Sequence, residues 1–161
     1  MSITSVDKDL EGLTLILTAE FDASPERVWG LWADPRKLER WWGPPTHPAT
    51  VAKHDLSPGG EVSYFMTGPE GDRFHGWWRV EAANPPHSLE FTDGFSYAEG
   101  EPAEDMPESK VYLDLSESDG GTRMTIRCVF ESREQMNELM EMGAAEGLQQ
   151  AVGQMDALLA E

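Results

Sequence analysis

Between residues 50 and 130 the chain is punctuated by turn clusters. They fall at Ser57-Pro58-Gly59-Gly60, at residues 68–72, at Asn84-Pro85-Pro86 and at Asp119-Gly120-Gly121. The runs between them have ordinary strand length, and short connections between consecutive strands favour antiparallel meander pairing. Their apolar faces read Val62, Tyr64, Met66; Phe74, Gly76, Trp78, Val80; Leu89, Phe91; Val111, Leu113, Leu115; and Met124, Ile126, Cys128, Phe130. An earlier run, LTLILTAEF from Leu13 to Phe21, alternates with the same period of two and reads as a half-buried strand. Residues 93–109 are too long for a hairpin and rich in Gly, Pro and acidic side chains, which predicts a loop or lid.

Helical signals flank this strand region. Ser24 can cap a helix whose first turn takes Pro25, with Val28, Leu31 and Trp32 on one face; Asp34-Pro35 repeats the signal for PRKLERWW, which Gly43-Pro44-Pro45 must end. Ser132 and Gln135 have capping-box spacing. No proline follows up to Ala160, which predicts one closing helix of about 43 Å at 1.5 Å per residue. The order is strand, two short helices, antiparallel sheet and long helix. It predicts a single α+β domain over residues 1–161, for which a chain of this length can build one substantial core.

Four of six tryptophans stand in two doublets, Trp41-Trp42 and Trp77-Trp78. Neighbours on a strand face opposite ways, so Trp78 belongs inside with Gly76 and Val80. Trp77 belongs outside, half covered by an arginine stem or the acidic loop. Trp41 and Trp42 end a helix about 100° apart, so at least one is buried. The last helix has large residues at its ends (Met136, Leu139, Met140; Met155, Leu158, Leu159) and small ones between (Gly143, Ala144, Gly147, Ala151). Two readings follow from that stripe: close approach of helix to sheet, or a space walled by adaptable Met and aromatic side chains.

The net charge of −18, from 12 Lys and Arg against 30 Asp and Glu, repels phosphate backbones and anionic lipid, which argues against nucleic acid and membrane as partners. No apolar run approaches the roughly 20 residues of a membrane span. A single cysteine and no basic-then-apolar leader fit a cytoplasmic protein. The four histidines lack metal-motif spacing, and no P-loop, dinucleotide fingerprint or G-x-S-x-G is present, so no metal, cofactor or catalytic set is predicted. Asp55, Glu61 and His75 are the nearest approach to acid–base groups, and strand phase turns His75 outward. Cys128 reads as a small core residue.

The stretches FDASPERVWGLWADPRKLERWWGPP, VAKHDLSPGGEVSYFM, HGWWRVEAANPPHSLEFTD, DGGTRMTIRCVF and MGAAEGLQQAVGQMDALLAE resemble the START-like, or SRPBCC, superfamily. Within it, they resemble the bacterial branch related to the C-terminal domain of the activator of the heat-shock protein 90 ATPase. The resemblance runs from about Leu13 to Ala160. It implies a helix-grip fold, a curved antiparallel sheet wrapped around the C-terminal helix and enclosing an apolar cavity. It brings no shared catalytic set that maps onto this chain. The expected function is binding of a small hydrophobic or aromatic ligand. Tyr64, Met66, Trp78, Phe91, Met136, Met140 and Gly147 are the expected wall, and Trp41, Trp42 and Phe95 stand near the entrance. Two rivals stand beside it: a cyclase or hydrolase acting on an aromatic polyketide-like substrate, and a cochaperone-like interaction module with a chaperone partner. An exposed sheet edge or Trp77 offers a route to a homodimer.

Overall fold

The computed structural model describes residues 3–98 and 101–161. Among these residues nine strands form one antiparallel sheet. In chain order they are β1 (Ile3–Asp9), β2 (Thr14–Phe21), β3 (Ala49–His54), β4 (Glu61–Thr67), β5 (Arg73–Asn84), β6 (Ser88–Ala98), β7 (Glu101–Pro102), β8 (Ser109–Ser118) and β9 (Gly121–Phe130). The sheet order is β1-β2-β9-β8-β6-β5-β4-β3, with β7 hairpinned onto β6. Every pairing is antiparallel, as the short turns require. The early strand β2 reaches across the sequence to β9, which brings the N-terminal segment beside the last hairpin.

Two short helices follow β2, as the sequence predicts. In α1 (Pro25–Ala33) the Ser24 side chain accepts from the Arg27 N–H and Pro25 occupies the first turn. Asp34 caps α2 (Pro35–Leu38) by accepting from the Arg36 N–H at 2.9 Å. This second helix is shorter than PRKLERWW suggests. The chain leaves it in a tightened turn in which the Trp41 and Trp42 N–H groups both reach the Leu38 carbonyl.

The closing segment is helical over the expected stretch but not continuous. It divides into α3 (Arg133–Glu141), α4 (Ala144–Val152) and α5 (Met155–Leu159). Ser132 caps α3 by accepting from the Gln135 N–H. Gly143 then adopts φ +85°, a left-handed conformation that no right-handed helix accommodates, and redirects the axis. Helical periodicity on either side hides such a break, because glycine also occurs inside helices.

A substitution isolates this backbone effect. A Cβ on Gly143 would meet nothing within 4 Å, so Gly143→Ala is opposed only by its positive φ. Its expected cost is about 1–2 kcal/mol, read as a lowered urea midpoint with an unchanged slope.

Two strands depart from expectation. The pairing of β1 with β2 is absent from the sequence reading because β1 buries almost nothing and shows no alternation. The stretch expected as a loop over residues 93–109 is largely strand, with β6 continuing to Ala98 and returning through β7. Asp93 therefore lies in a strand, opposite Trp78 on one side and Ser109 on the other.

The core fills the inner face of the sheet. Leu17, Val62, Trp78, Phe91, Leu113 and Ile126 are buried there, together with Trp32, Leu38 and Trp41 from the helical connection. A smaller cluster joins Leu15 and Phe130 to Met136, Leu139 and Ala145 beneath α3 and the start of α4. The strand phase of β5 follows the predicted parity, with Gly76, Trp78 and Val80 buried. Trp77 lies on the other face under the Arg79 guanidinium, 5.6 Å from its ring centre, and donates to the Phe95 carbonyl. Two glycines admit the aromatic neighbours across from them. Tyr64 pairs with Gly76 and Trp77 with Gly94, and a Cβ on either glycine would stand 2.4 Å from the facing ring. Among the described residues, no helix is long and apolar enough to cross a membrane.

Candidate functional site

Between the inner face of the sheet and the α3–α4 corner lies a pocket of about 600 Å³. Its volume falls within the range of small-molecule sites, roughly 300–1,000 Å³. Strand alternation supplies one wall: Tyr64 and Met66 from β4, Phe95 from β6, Val111 from β8, Ile126 and Cys128 from β9. The opposite wall is the helical corner, where the small residues Gly143, Ala144 and Gly147 leave the space that larger side chains would fill. Trp42 and Pro44 bound a third side, and Phe74 and Met142 are more than half exposed at the rim.

Of the residues expected at the site, Tyr64, Met66, Phe95, Gly147 and Trp42 line this pocket. Trp78, Phe91, Met136, Met140 and Trp41 do not. Trp78, Phe91, Met136 and Trp41 are buried in the core, and Met140 is half-buried against the cluster beneath α3. Trp78 is fully buried, stacked on Phe91 with ring centres 4.1 Å apart and edge-on to Trp42 at 4.9 Å. Trp41 is held by its own indole N–H, which donates to the Leu31 carbonyl at 2.9 Å, and it meets Trp32 edge-on. Met136 is sealed in the core beneath α3. Gln154 anchors the first doublet to the helical segment by donating to the carbonyls of Trp41 and Gly43. The two doublets thus meet in one cluster, in which only Trp42 reaches the pocket.

The acid–base candidates named from sequence lie elsewhere. Asp55 accepts from the Ser57 backbone and hydroxyl in an exposed turn, and those bonds hold its carboxyl below the ordinary range. His75 packs against Phe65, away from the pocket lining. The half-buried carboxyl in the pocket is Asp93, which the sequence reading assigned to a loop. It sits on β6 in phase with Leu89, Phe91 and Phe95, so that parity alone turns it inward once the strand is extended past Phe91.

Asp93 accepts a hydrogen bond from the Tyr64 hydroxyl at 3.2 Å. Burial pushes its carboxyl up to about 7, opposed only in part by that hydrogen bond. Burial, and then the neighbouring Asp93 charge, raises Tyr64 well above the ordinary phenol range. Cys128 is pushed up to about 12 by burial and by Asp93, so it stays a thiol and is no nucleophile at neutral pH. The remaining polar lining comes from Ser109, Gln150 and Glu146 and from Thr46 and His47 near the rim; no lysine or arginine contributes among the described residues. No group of three or more His, Cys, Asp or Glu with metal-holding geometry occurs among the described residues. The pocket therefore offers apolar burial around a weakly acidic carboxyl, with a few further polar groups in its lining.

Large apolar side chains exposed on the described surface are Leu10, Phe74, Tyr97 and Met142, and neither tryptophan doublet is among them.

Comparison with known proteins agrees with this architecture. No curated protein matches the chain. A crystal structure of a Mycobacterium smegmatis protein is 48% identical, with a TM-score of 0.90, covering 98% of this chain and 96% of that one. A solution structure from Arthrobacter aurescens is 46% identical, with a TM-score of 0.94 and coverage of 99% and 92%. The AHSA1 protein of Silicibacter pomeroyi is 26% identical, with a TM-score of 0.72 and coverage of 91% and 97%. Residues 22–160 match the family described as "Activator of Hsp90 ATPase homolog 1-like protein". With the helix-grip arrangement of sheet and closing helices, that match means that the chain belongs to this family, within the SRPBCC superfamily.

Proposed function

We propose that this protein binds a small hydrophobic or aromatic molecule in the pocket between the sheet and the α3–α4 corner. The observation that carries the reading is the pocket itself: about 600 Å³ of space walled by Tyr64, Met66, Phe95 and Trp42 and left open by Gly147. Apolar burial at roughly 25 cal/mol per Å² supplies the affinity, and the few polar groups set orientation.

The test is titration with an apolar fluorescent dye, following both the dye and tryptophan emission. Trp42 is the tryptophan that lines the pocket, so its emission reports occupancy. Gly147→Leu is the decisive variant. A Cβ at Gly147 meets nothing within 4 Å, so the leucine grows into open space. The variant is expected to gain about 1 kcal/mol of stability from helix propensity and to lose dye affinity by about tenfold or more. Absence of dye binding in the wild type, or unchanged affinity in Gly147→Leu, overturns the reading.

One observation favours a second reading, an enzyme of cyclase or hydrolase type on an aromatic substrate. Asp93 is a carboxyl poised near neutral pH inside an apolar pocket, the environment a general acid or base needs. Turnover of a bound aromatic ester that vanishes in Asp93→Asn, with dye affinity retained, would establish it.

A further inference from the structure

We propose that the pocket selects an apolar molecule that carries a protonated amine, with the ammonium group seated on Asp93 beside the rings of Tyr64 and Trp42. This rests on the binding reading above and gives the ligand a chemical class.

Three features converge on a cation. First, the Asp93 carboxyl has one oxygen engaged by the Tyr64 hydroxyl, and the other accepts no hydrogen bond from the described residues. That oxygen is not among the sealed unpaired atoms, so a ligand donor can reach it from the pocket. Second, the charges around the pocket have one sign. Glu146 is the other formally charged lining residue, and the whole chain carries −18. A carboxylate or phosphate ligand would meet two acids and no lysine or arginine, whereas an ammonium supplies the missing counter-charge. Third, Tyr64, whose hydroxyl reaches the carboxyl, stands edge to face with Trp42, the ring centres 6.0 Å apart, and both rings line the same pocket. Aromatic rings there stabilise a desolvated cation and the apolar body attached to it.

Proton linkage follows from the same geometry. The titratable groups facing the site are Tyr64 from β4, Cys128 from β9, Glu146 from α4 and His47 from the segment before β3. Tyr64 and Cys128 are both pushed upward and remain uncharged up to pH 8, so they do not compete for the cation. Asp93 must give up its proton to receive an ammonium. Below about 7 that proton has to be displaced, and affinity for a permanently charged amine falls as the solution is acidified.

The experiment compares decylamine, decanol and decanoate on the full chain by calorimetry and tryptophan fluorescence. Alkyl ammonium groups resemble the lysine side chain, with a pKa of about 10.4, so decylamine keeps its charge from pH 5 to pH 8. At pH 8 decylamine is expected to bind about tenfold or more tightly than decanol, and decanoate most weakly. Acidification below pH 7 should weaken decylamine by up to about tenfold per pH unit and leave decanol unchanged. Asp93→Asn should bring decylamine down to decanol. Glu131→Gln, which removes an exposed carboxyl and the same formal charge, should not. The inference is overturned if decylamine has no advantage, or if the advantage survives Asp93→Asn; the wild-type pH series decides the matter without any variant. Dye and decanol binding without an amine preference sinks this inference alone. Failure of the dye and all three probes sinks the binding reading with it.

Discussion

Trp78→Ala is expected to lower the unfolding free energy by about 3–5 kcal/mol, the range for deleting a large buried aromatic side chain. The indole is completely buried at the junction of both tryptophan doublets. It stacks on Phe91 with 21° between planes, meets Trp42 edge-on, and lies about 6 Å from the rings of Trp32 and Tyr64. Its strand is paired on both sides, with β4 and with β6, so the backbone cannot close over the void. For a domain of this size the loss corresponds to a fall in Tm of about 6–20 °C. Trp78→Phe keeps most of the contact and removes an indole N–H that has no hydrogen-bond partner, so it should cost only about 1–2 kcal/mol. Urea unfolding followed by far-UV circular dichroism, with the slope unchanged between variants, measures both. A cost below about 1 kcal/mol for the alanine variant would mean that the cluster is not integral to the core, and that the indole is spare surface for a ligand.

That placement shows where sequence is a good guide and where it is not. Parity on β5 puts Trp78 inside and Trp77 outside, because the side-chain period of a strand is two and a buried face enforces it. Parity says nothing about depth, however. Trp78 and Tyr64 share a face, yet one closes the core and the other lines the pocket; the difference arises from what Trp32, Trp41 and Trp42 bring over them from a distant segment. The caps at Ser24, Asp34 and Ser132 are legible because they are local hydrogen bonds with fixed spacing. The break at Gly143 is not, since a glycine fits a helix interior and a left-handed break alike, and the apolar spacing on either side is the same in both cases. Asp93 was missed for a related reason. Asp and Gly are poor strand formers and read as a loop, but the pairing of β6 with β5 and β8 overrides that preference and carries the carboxyl into the pocket. The small residues of the α3–α4 corner left packing and pocket as open alternatives, and the space in front of Gly147 distinguishes them.

The strain of keeping Asp93 inside sets the second large effect, a pH-dependent gap between the wild type and Asp93→Asn. In the unfolded chain this carboxyl titrates near the ordinary value of about 3.9, and in the folded protein near about 7. Between those values the folded state holds a proton that the unfolded state has released, so stability falls as pH rises through the window. Below about 4 both states are protonated and the contribution is fully present; above about 7 both are ionised and it is lost. The displacement corresponds to about 4 kcal/mol, which water reaching the half-buried carboxyl through the pocket reduces to about 2–4 kcal/mol. Asparagine is neutral throughout and can still accept from the Tyr64 hydroxyl, so the variant avoids the buried charge. Asp93→Asn should therefore match the wild type near pH 4 and exceed it by about 2–4 kcal/mol at pH 8. The repulsion among the other acidic side chains is common to both proteins and cancels in the difference. Parallel urea unfolding at pH 4, 5, 6, 7 and 8 measures the gap, and a gap that stays constant across that range would show that Asp93 is ionised normally. The same amide, by removing the carboxylate, gives up any preference for a cation. A protein that holds a destabilising acid in a large apolar pocket gains stability when a suitable cation binds, so decylamine at one fixed concentration should raise the Tm of the wild type at pH 8 by clearly more than it raises that of Asp93→Asn, which keeps only the apolar part of the binding.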